Sequence, residues 1–569
     1  MRKRSFAQAV HWLYAAATLV ALCVVLAAPA IAAQKDDLES LPGGLAYAPQ
    51  ARPWGDTYLP KSPPPARRLL LVDATKCTPE ERLALACLQG LTSRKEPRIW
   101  LLVPGQGKFW LDRHVEKKYI DGYDSVADWR GLFRQFADAF RGAVVPDRNL
   151  YRGDVLAANV AACEDLIIAS PELAAALGLP VKVDLRGRFT TYADGMQWVW
   201  NTYKGRLNHH LASYLYPRKM GVTAFAYELE WRAVMFWIAG TKDAAEPGAD
   251  PAREERLMAG ILAEMAPNTA VLGFPFGGEG IGIGEPRGVA LISRYAKALV
   301  CPDFLANACV TSGVRIEPLR QAKQAPPPPL ARDKIYIALA VSDGDNQNTW
   351  LNFMKPYFEH PRHGEFPVAH GMGPPILDLM PAVAEWYYER GGPNTEFLAD
   401  VSGIGYIQPK HYATAFTERD AAFDGFLDWT QKYLARMDMA TVRTVGGEDD
   451  LLARYARKLP GLHSLFADMG RYSGRSGIAN LTYALPDGMP VFRSATSWRY
   501  GKDGFLREVR EQVGAARPAF ANGFVHCWTF HNMDDIARIY DGRDKDMVFV
   551  TPSQLAALYR KAKETKGVK

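Results

Sequence analysis

Among 569 residues there is one long apolar run, and it lies at the extreme N-terminus. No later stretch approaches the roughly 20 consecutive apolar residues that a membrane span needs, so the mature chain is expected to be soluble. Cysteine is scarce, with seven in all, and none has zinc-finger spacing. Neither GxGxxG nor GxxxxGK[ST] occurs in the glycine-rich stretch GFPFGGEGIGIGEP (273–286), which removes dinucleotide and P-loop readings there. There is no HExxH and no two-histidine helix signature, so no metal or other cofactor is expected. The formal charge is only +6, and losing Arg2, Lys3 and Arg4 with a leader lowers it by three, to +3. A balance that small argues against nucleic acid or an anionic membrane as partner.

What is present begins with a basic MRKRSFAQAVHW followed by LYAAATLVALCVVLAAPAIAA. The Ala30-Ile31-Ala32 end suits signal peptidase, so residues 1–32 read as a Sec signal peptide and the mature chain as periplasmic or secreted; an uncleaved membrane anchor is the alternative, since the run approaches the roughly 20 residues of a span. Cys23 leaves with the signal peptide. Of the remaining six cysteines, Cys77/Cys87 and Cys301/Cys309 are near enough in sequence to pair, and buried free thiols fit equally well.

Apolar content of 48% with 23% charged residues is that of a folded globular protein too long for one ordinary core. Residues 33–66 form a Pro/Gly-rich lead-in expected to run extended over the surface, and QAKQAPPPPLARDK marks a proline-rich linker at 321–333. Between them, 67–320 reads as an α/β domain: RLLLVDA, RIWLLV, DLIIAS, LPVKVDL and TAVLGF as strands, and TPEERLALACLQGLT, Val222 to Ile238 and Asp250 to Met265 as helices. In 334–569 eight strand candidates alternate with helical patterns. They are KIYIALAVS, FPVAHGM, TEFLADVS, MATVRTVGG, HSLFADMG, MPVFRSATS, GFVHCWTF and DMVFVTP. The expected class is α/β, with an N-terminal α/β domain followed by a C-terminal (β/α)8 TIM-barrel-like domain of seven or eight strands. An open doubly wound sheet is the alternative.

Such barrels place their chemistry beyond the C-terminal strand ends. Those positions offer Asp343, Asp345 and Asn346 after the first strand and Gly403, Gly405 and Tyr406 after the third. Further round come Glu448, Asp468, Trp498, His526 and Trp528, and the glycine-rich loop adds Glu279. Recurring carboxylates and aromatics at one rim are what a sugar site uses, acids for proton transfer and ring faces for stacking. Each has a structural alternative: SDGDN suits a turn, Glu448 suits a helix N-cap, and His526 suits a core. Asp343 or Asp345 opposite Glu448 is the expected catalytic pair. Carboxyl groups about 5–5.5 Å apart would signal retention and roughly 6.5–9.5 Å inversion. Asp343, Asp345 and His526 as ligands of a metal-assisted deacetylase, and a non-catalytic carbohydrate-binding protein, are the alternatives.

Gly403-Ile404-Gly405-Tyr406-Ile407-Gln408-Pro409 resembles the defining motif of the bacterial GxGYxYP family, departing at Gln408 where the pattern has tyrosine. SDGDNQ, CLQGLTSRKEPRIWLL and VCPDFLANACVTSG resemble further family segments in the expected order. The resemblance implies glycoside hydrolysis, a carbohydrate substrate, and a TIM-barrel-like C-terminal domain behind an N-terminal α/β region.

Overall fold

A computed structural model describes residues 37–217, 219–343, 347–467, 481–496 and 501–567. Residues 68–300 form three separate parallel sheets. The first is ordered β2-β1-β3, with β1 Arg68–Asp73, β2 Ile99–Leu102 and β3 Gly122–Val126. The second is β5-β4-β6, built from β4 Ala143–Val145, β5 Ile167–Ile168 and β6 Val181–Asp184. The third is β10-β9-β7-β8, with β7 Asn208–Tyr214, β8 Ala233–Phe236, β9 Thr269–Gly273 and β10 Lys297–Val300. Local chemistry sets the helix ends between them. Thr78 and Glu81 close a reciprocal capping box on the helix Pro79–Ser93, and Pro79 occupies its first position.

One expected helix changes type. Between Val222 and Ile238 the helix spans only Phe225–Glu230, Arg232 turns the chain at φ 52°, and AVMF continues as β8. All four β8 residues are buried. A short apolar run of this kind carries no periodicity that separates a helix from a strand buried on both faces.

The remaining strands make one large sheet: β11 Ile335–Ser342, β12 Val368–Met372, β13 Thr395–Ala399, β14 Thr441–Thr444, β15 Ser464–Ala467, β16 Thr482–Ala484, β17 Pro490–Arg493, β18 Ala519–His526 and β19 Met547–Phe549. Seven of them run parallel in the order β17-β15-β14-β13-β12-β11-β18. The sheet curls until its ends meet: Ser494 bridges Asn522, and Ala495 N–H donates to Asn522 O at 2.8 Å. Two strands stand outside this path. β16 pairs antiparallel with β17, and β19 pairs only with the first residues of β11, leaving β12 the last.

Strand alternation sorts the side chains. Tyr336, Ala338, Ala340, Ala369, Leu398, Phe466, Phe492 and Phe520 share one face and form a core of their own with Leu555 and Tyr559. The last two belong to the helix Pro552–Gly567, which closes the end where the strands begin.

The lead-in is not a surface strap. Leu59 is fully buried, its N–H donating to Asp378 Oδ2 at 2.9 Å, and Ser62 Oγ–H donates to Glu230 Oε2 at 2.7 Å. Arg52 lies between the Tyr58 and Trp429 rings, 4.6 and 4.5 Å from their centres. These apolar and paired groups hold the segment between the N-terminal sheets and the curled one. The proline linker is also tethered: Gln321 Oε1 accepts from Phe397 N–H at 2.7 Å, and Gln324 Nε2 donates to Thr395 O at 2.8 Å. All six described cysteines are buried free thiols, so neither sequence-adjacent pair is bonded.

Candidate functional site

Extending the inward alternation by one step toward the C-terminal strand ends replaces apolar residues with polar ones. Above Ala340 stands Ser342, above Leu398 stands Asp400, and β14 contributes Arg443. The Ser342 hydroxyl donates to Asp400 Oδ2, and Arg443 Nη1 lies 3.5 Å from the same oxygen. Both charged side chains are fully buried. The Arg443 guanidinium reaches across the curl to the Phe524 ring on β18, 4.9 Å from its centre. Gly371 on β12 keeps this space open, since a Cβ there would come 2.1 Å from Asp400 Oδ2 and 2.8 Å from Ser342 Oγ.

Burial pushes the Asp400 carboxyl up to about 6, against the opposing pull of Arg443 and the Ser342 hydroxyl. Among the described residues, Asp400 Oδ1 and Arg443 Nε and Nη2 have no hydrogen-bond partner. A buried polar layer left partly unmatched at the end of an apolar interior is a demanding arrangement, and such arrangements concentrate at functional sites. An acid held near neutrality can keep its proton for transfer to a leaving group.

The expected residues fall at varied positions. Asp343 directly follows Ser342 and is half-buried at the mouth of the curl. Residues Asp345, Asn346, Asp468 and Trp498 lie outside the described residues. Glu448 is exposed beyond β14, where it begins the helix Asp449–Lys458 without a capping hydrogen bond from its side chain. β14 is three strands round from β11. His526 closes β18 opposite Ser342, with Nδ1 3.0 Å from Thr529 Oγ1. Burial, and secondarily His531, lowers it to about 4. Trp528 is 37% exposed and packs on Phe353. His370 sits on the other face of β12 from Gly371, buried against Phe358, and serves as a core residue.

The glycine–tyrosine stretch sits elsewhere. Tyr406 pairs with Leu299 of β10 through two reciprocal backbone hydrogen bonds of 2.9 Å, and its hydroxyl donates to Glu285 Oε1 at 2.9 Å. It is 5% exposed. Gly405 permits this approach, as a Cβ there would meet Ala298 Cβ at 2.9 Å. Gly403, at φ 120°, turns the chain against Thr430. Gln408, in place of the pattern's tyrosine, donates through Nε2 to Pro286 O at 2.8 Å. The motif covers the free edge of β10 and thereby joins the curled sheet to the third sheet. Its tyrosine packs in that joint and lines no open surface. Glu279 is exposed in the loop after β9.

Asp400, Arg443 and Ser342 escaped the sequence reading. A signal existed: an arginine within MATVRTVGG and an aspartate two residues past Leu398 are charges inside strands expected to be buried, and buried charges require partners.

Family models match most of the chain. "GxGYxYP_N 1st domain" covers 68–138, "GxGYxYP_N second domain" 140–207, "GxGYxYP third domain" 209–313, and "GxGYxYP putative glycoside hydrolase C-terminal domain" 333–560. Among solved structures, a putative hydrolase from Bacteroides thetaiotaomicron VPI-5482 is 20% identical with a TM-score of 0.75, covering 91% of this chain and 99% of its own, which supports the fold. A putative polysaccharide deacetylase from Mycobacterium smegmatis is 12% identical over 43% of this chain and 96% of its own, but its TM-score of 0.28 bears no conclusion. No curated protein matches.

Proposed function

The chain belongs to the GxGYxYP family, and on that premise we propose that it is an exported glycoside hydrolase acting at the mouth of the curled sheet. The sheet is then an imperfect, seven-stranded relative of the (β/α)8 barrel, with its site at the C-terminal strand ends as in that fold. The observation that carries the reading is the buried layer of Ser342, Asp400 and Arg443 at that end, where Asp400 Oδ1 and Arg443 Nε and Nη2 find no partner among the described residues, whereas Glu396, Thr441 and Ser464 toward the opposite end are hydrogen-bonded. Asp343 stands one residue above this layer and supplies the carboxylate facing a bound sugar. Asp345 and Glu448 are the acids to pair with it, and Asp400 is the buried acid that holds a proton beneath them. Export rests on the basic N-terminus, the apolar run and the Ala30-Ile31-Ala32 end; among the described residues no helix is long and apolar enough to cross a membrane.

The test is a panel of plant and bacterial glycans incubated with the purified protein, followed by product analysis. Cleavage that falls by about 10²–10⁴ in Asp343→Asn supports the assignment. Cleavage that survives this change and Asp400→Asn alike refutes it, and binding without cleavage would make the protein a carbohydrate-binding module. A second reading, metal-assisted deacetylation, is favoured by the β11–β18 register, which pairs Ser342, the residue before Asp343, with His526. Stoichiometric divalent metal and acetate release would replace the glycosidase reading.

A further inference from the structure

The third sheet has a reversal of its own. From β7 the chain moves to β8 on one side and then returns to β9 on the other. All its neighbouring strands are parallel, so the C-terminal ends of β7 and β9 flank a topological switch point, where open α/β sheets hold their ligands. A crevice lies there, walled by Tyr216, Lys219, Glu228, Phe274, Asp303 and Phe304. Gly273 ends β9 at φ 77°, and a Cβ on it would stand 2.2 Å from Tyr214 O, so glycine alone lets the two strands finish side by side.

Two features of the crevice call for a ligand. Glu228 is 2% exposed and contributes to the crevice wall; Ser213 Oγ–H donates to its Oε1 at 2.8 Å, while Oε2 has no hydrogen-bond partner among the described residues. Burial, reinforced by Asp303, pushes this carboxyl up to about 8, so at neutral pH it carries a proton to donate. Phe304 is the second feature. Its ring is 43% exposed, and its backbone is held at φ 64°, a conformation that a bulky residue adopts at a cost. Lys219 stands 5.1 Å from that ring and 5.4 Å from the Tyr216 ring.

The crevice thus offers an aromatic face, a neutral buried acid, and one carboxylate balanced by one ammonium. A phosphate would meet the Asp303 carboxylate, with Lys219 already engaged in balancing it. A neutral ring with an apolar face and hydroxyls at its edge meets every group on favourable terms. We propose that the third domain carries a second saccharide-binding site at this switch point, separate from the mouth of the curled sheet. The choice of a saccharide rests on the glycan reading of the main site. The two places are linked structurally: Gln347 N–H, in the segment after β11, donates to Cys301 O at 2.9 Å, two residues before Asp303. A single oligosaccharide extending from the mouth is therefore the expected occupant.

The experiment measures binding of cellohexaose, xylohexaose, mannohexaose and chitohexaose to the full mature chain by titration calorimetry, alongside hydrolysis of the matching aryl monoglycosides. Phe304→Ala and Glu228→Leu are expected to weaken the bound hexasaccharide at least tenfold, Glu228→Gln to keep it, and none to alter aryl-glycoside hydrolysis. Hexasaccharide affinity unchanged in Phe304→Ala and Glu228→Leu overturns the second site while leaving the main one standing. Binding that depends on Phe304 in a protein that cleaves none of the substrates upholds the second site and removes the hydrolase reading. A protein that binds none of the four hexasaccharides overturns the inference.

Discussion

Replacing Arg443 by leucine tests the polar layer most directly. The guanidinium and the Asp400 carboxylate are both fully buried, 3.5 Å apart, and Arg443 is the charge that draws the Asp400 pKa down against burial. Removing one partner of a buried pair leaves the other charge uncompensated, at a cost of roughly 3–5 kcal/mol. That cost depends on pH, and its sign follows from the direction of the shift. Asp400 already titrates at about 6 in the folded protein against 3.8 ordinarily, and without Arg443 it must rise further. A folded-state pKa raised in this way gives a contribution fully present at low pH and lost as pH rises through the folded value. At pH 5 the folded variant keeps Asp400 protonated, and only lost packing against Phe524 remains. At pH 8 the full penalty applies, lowering the melting temperature of a domain of this size by roughly 6–20 °C. Thermal unfolding of parent and variant at both pH values, followed by tryptophan fluorescence, reads the difference. The double variant Asp400→Asn/Arg443→Leu should recover much of the pH 8 loss. A loss equal at pH 5 and pH 8, unrelieved in the double variant, would refute the reasoning.

The other expectations follow from the same contacts. Gly371→Ala drives a methyl group to 2.1 Å from Asp400 Oδ2, so it should destabilise by about 1–3 kcal/mol in thermal unfolding and depress turnover on any confirmed glycan. If Asp400 acts as proton donor, kcat/KM is present below its pKa and lost as pH rises through about 6; a pH–rate profile should show this limb, and Asp400→Asn should erase it. Tyr406→Phe leaves the part-buried Glu285 carboxyl without its hydroxyl partner and should cost roughly 1 kcal/mol of stability, with glycan affinity unchanged. A selective loss of affinity without loss of stability would instead return Tyr406 to the substrate. Glu448→Gln separates helix start from catalyst: full activity on a cleaved glycan would leave Glu448 as the residue that begins its helix.

Much of the architecture was legible in the chain. Every strand candidate of the second half became a strand, because alternation of apolar residues and the turn chemistry between them are local properties. Closure was not legible. Whether DMVFVTP joins the ring or only flanks β11, and whether β17 reaches β18, depends on strand register, which no single segment carries. Nor could pattern tell one N-terminal sheet from three, since parallel strands buried on both faces read alike wherever they pair.

The sequence by itself determined the family and the α/β class. Each of these follows from short motifs or from a two-residue period. Tertiary structure alone decided which polar residues meet. It turned Asp400, Arg443 and Ser342, distant in the chain, into one buried layer whose pKa values burial sets. It took Tyr406 out of the rim and into a joint between sheets, because the glycines that would let a ligand approach also let β10 approach. A side chain's face is fixed by its neighbours in sequence, but what lies across from it is fixed only when the strands have closed.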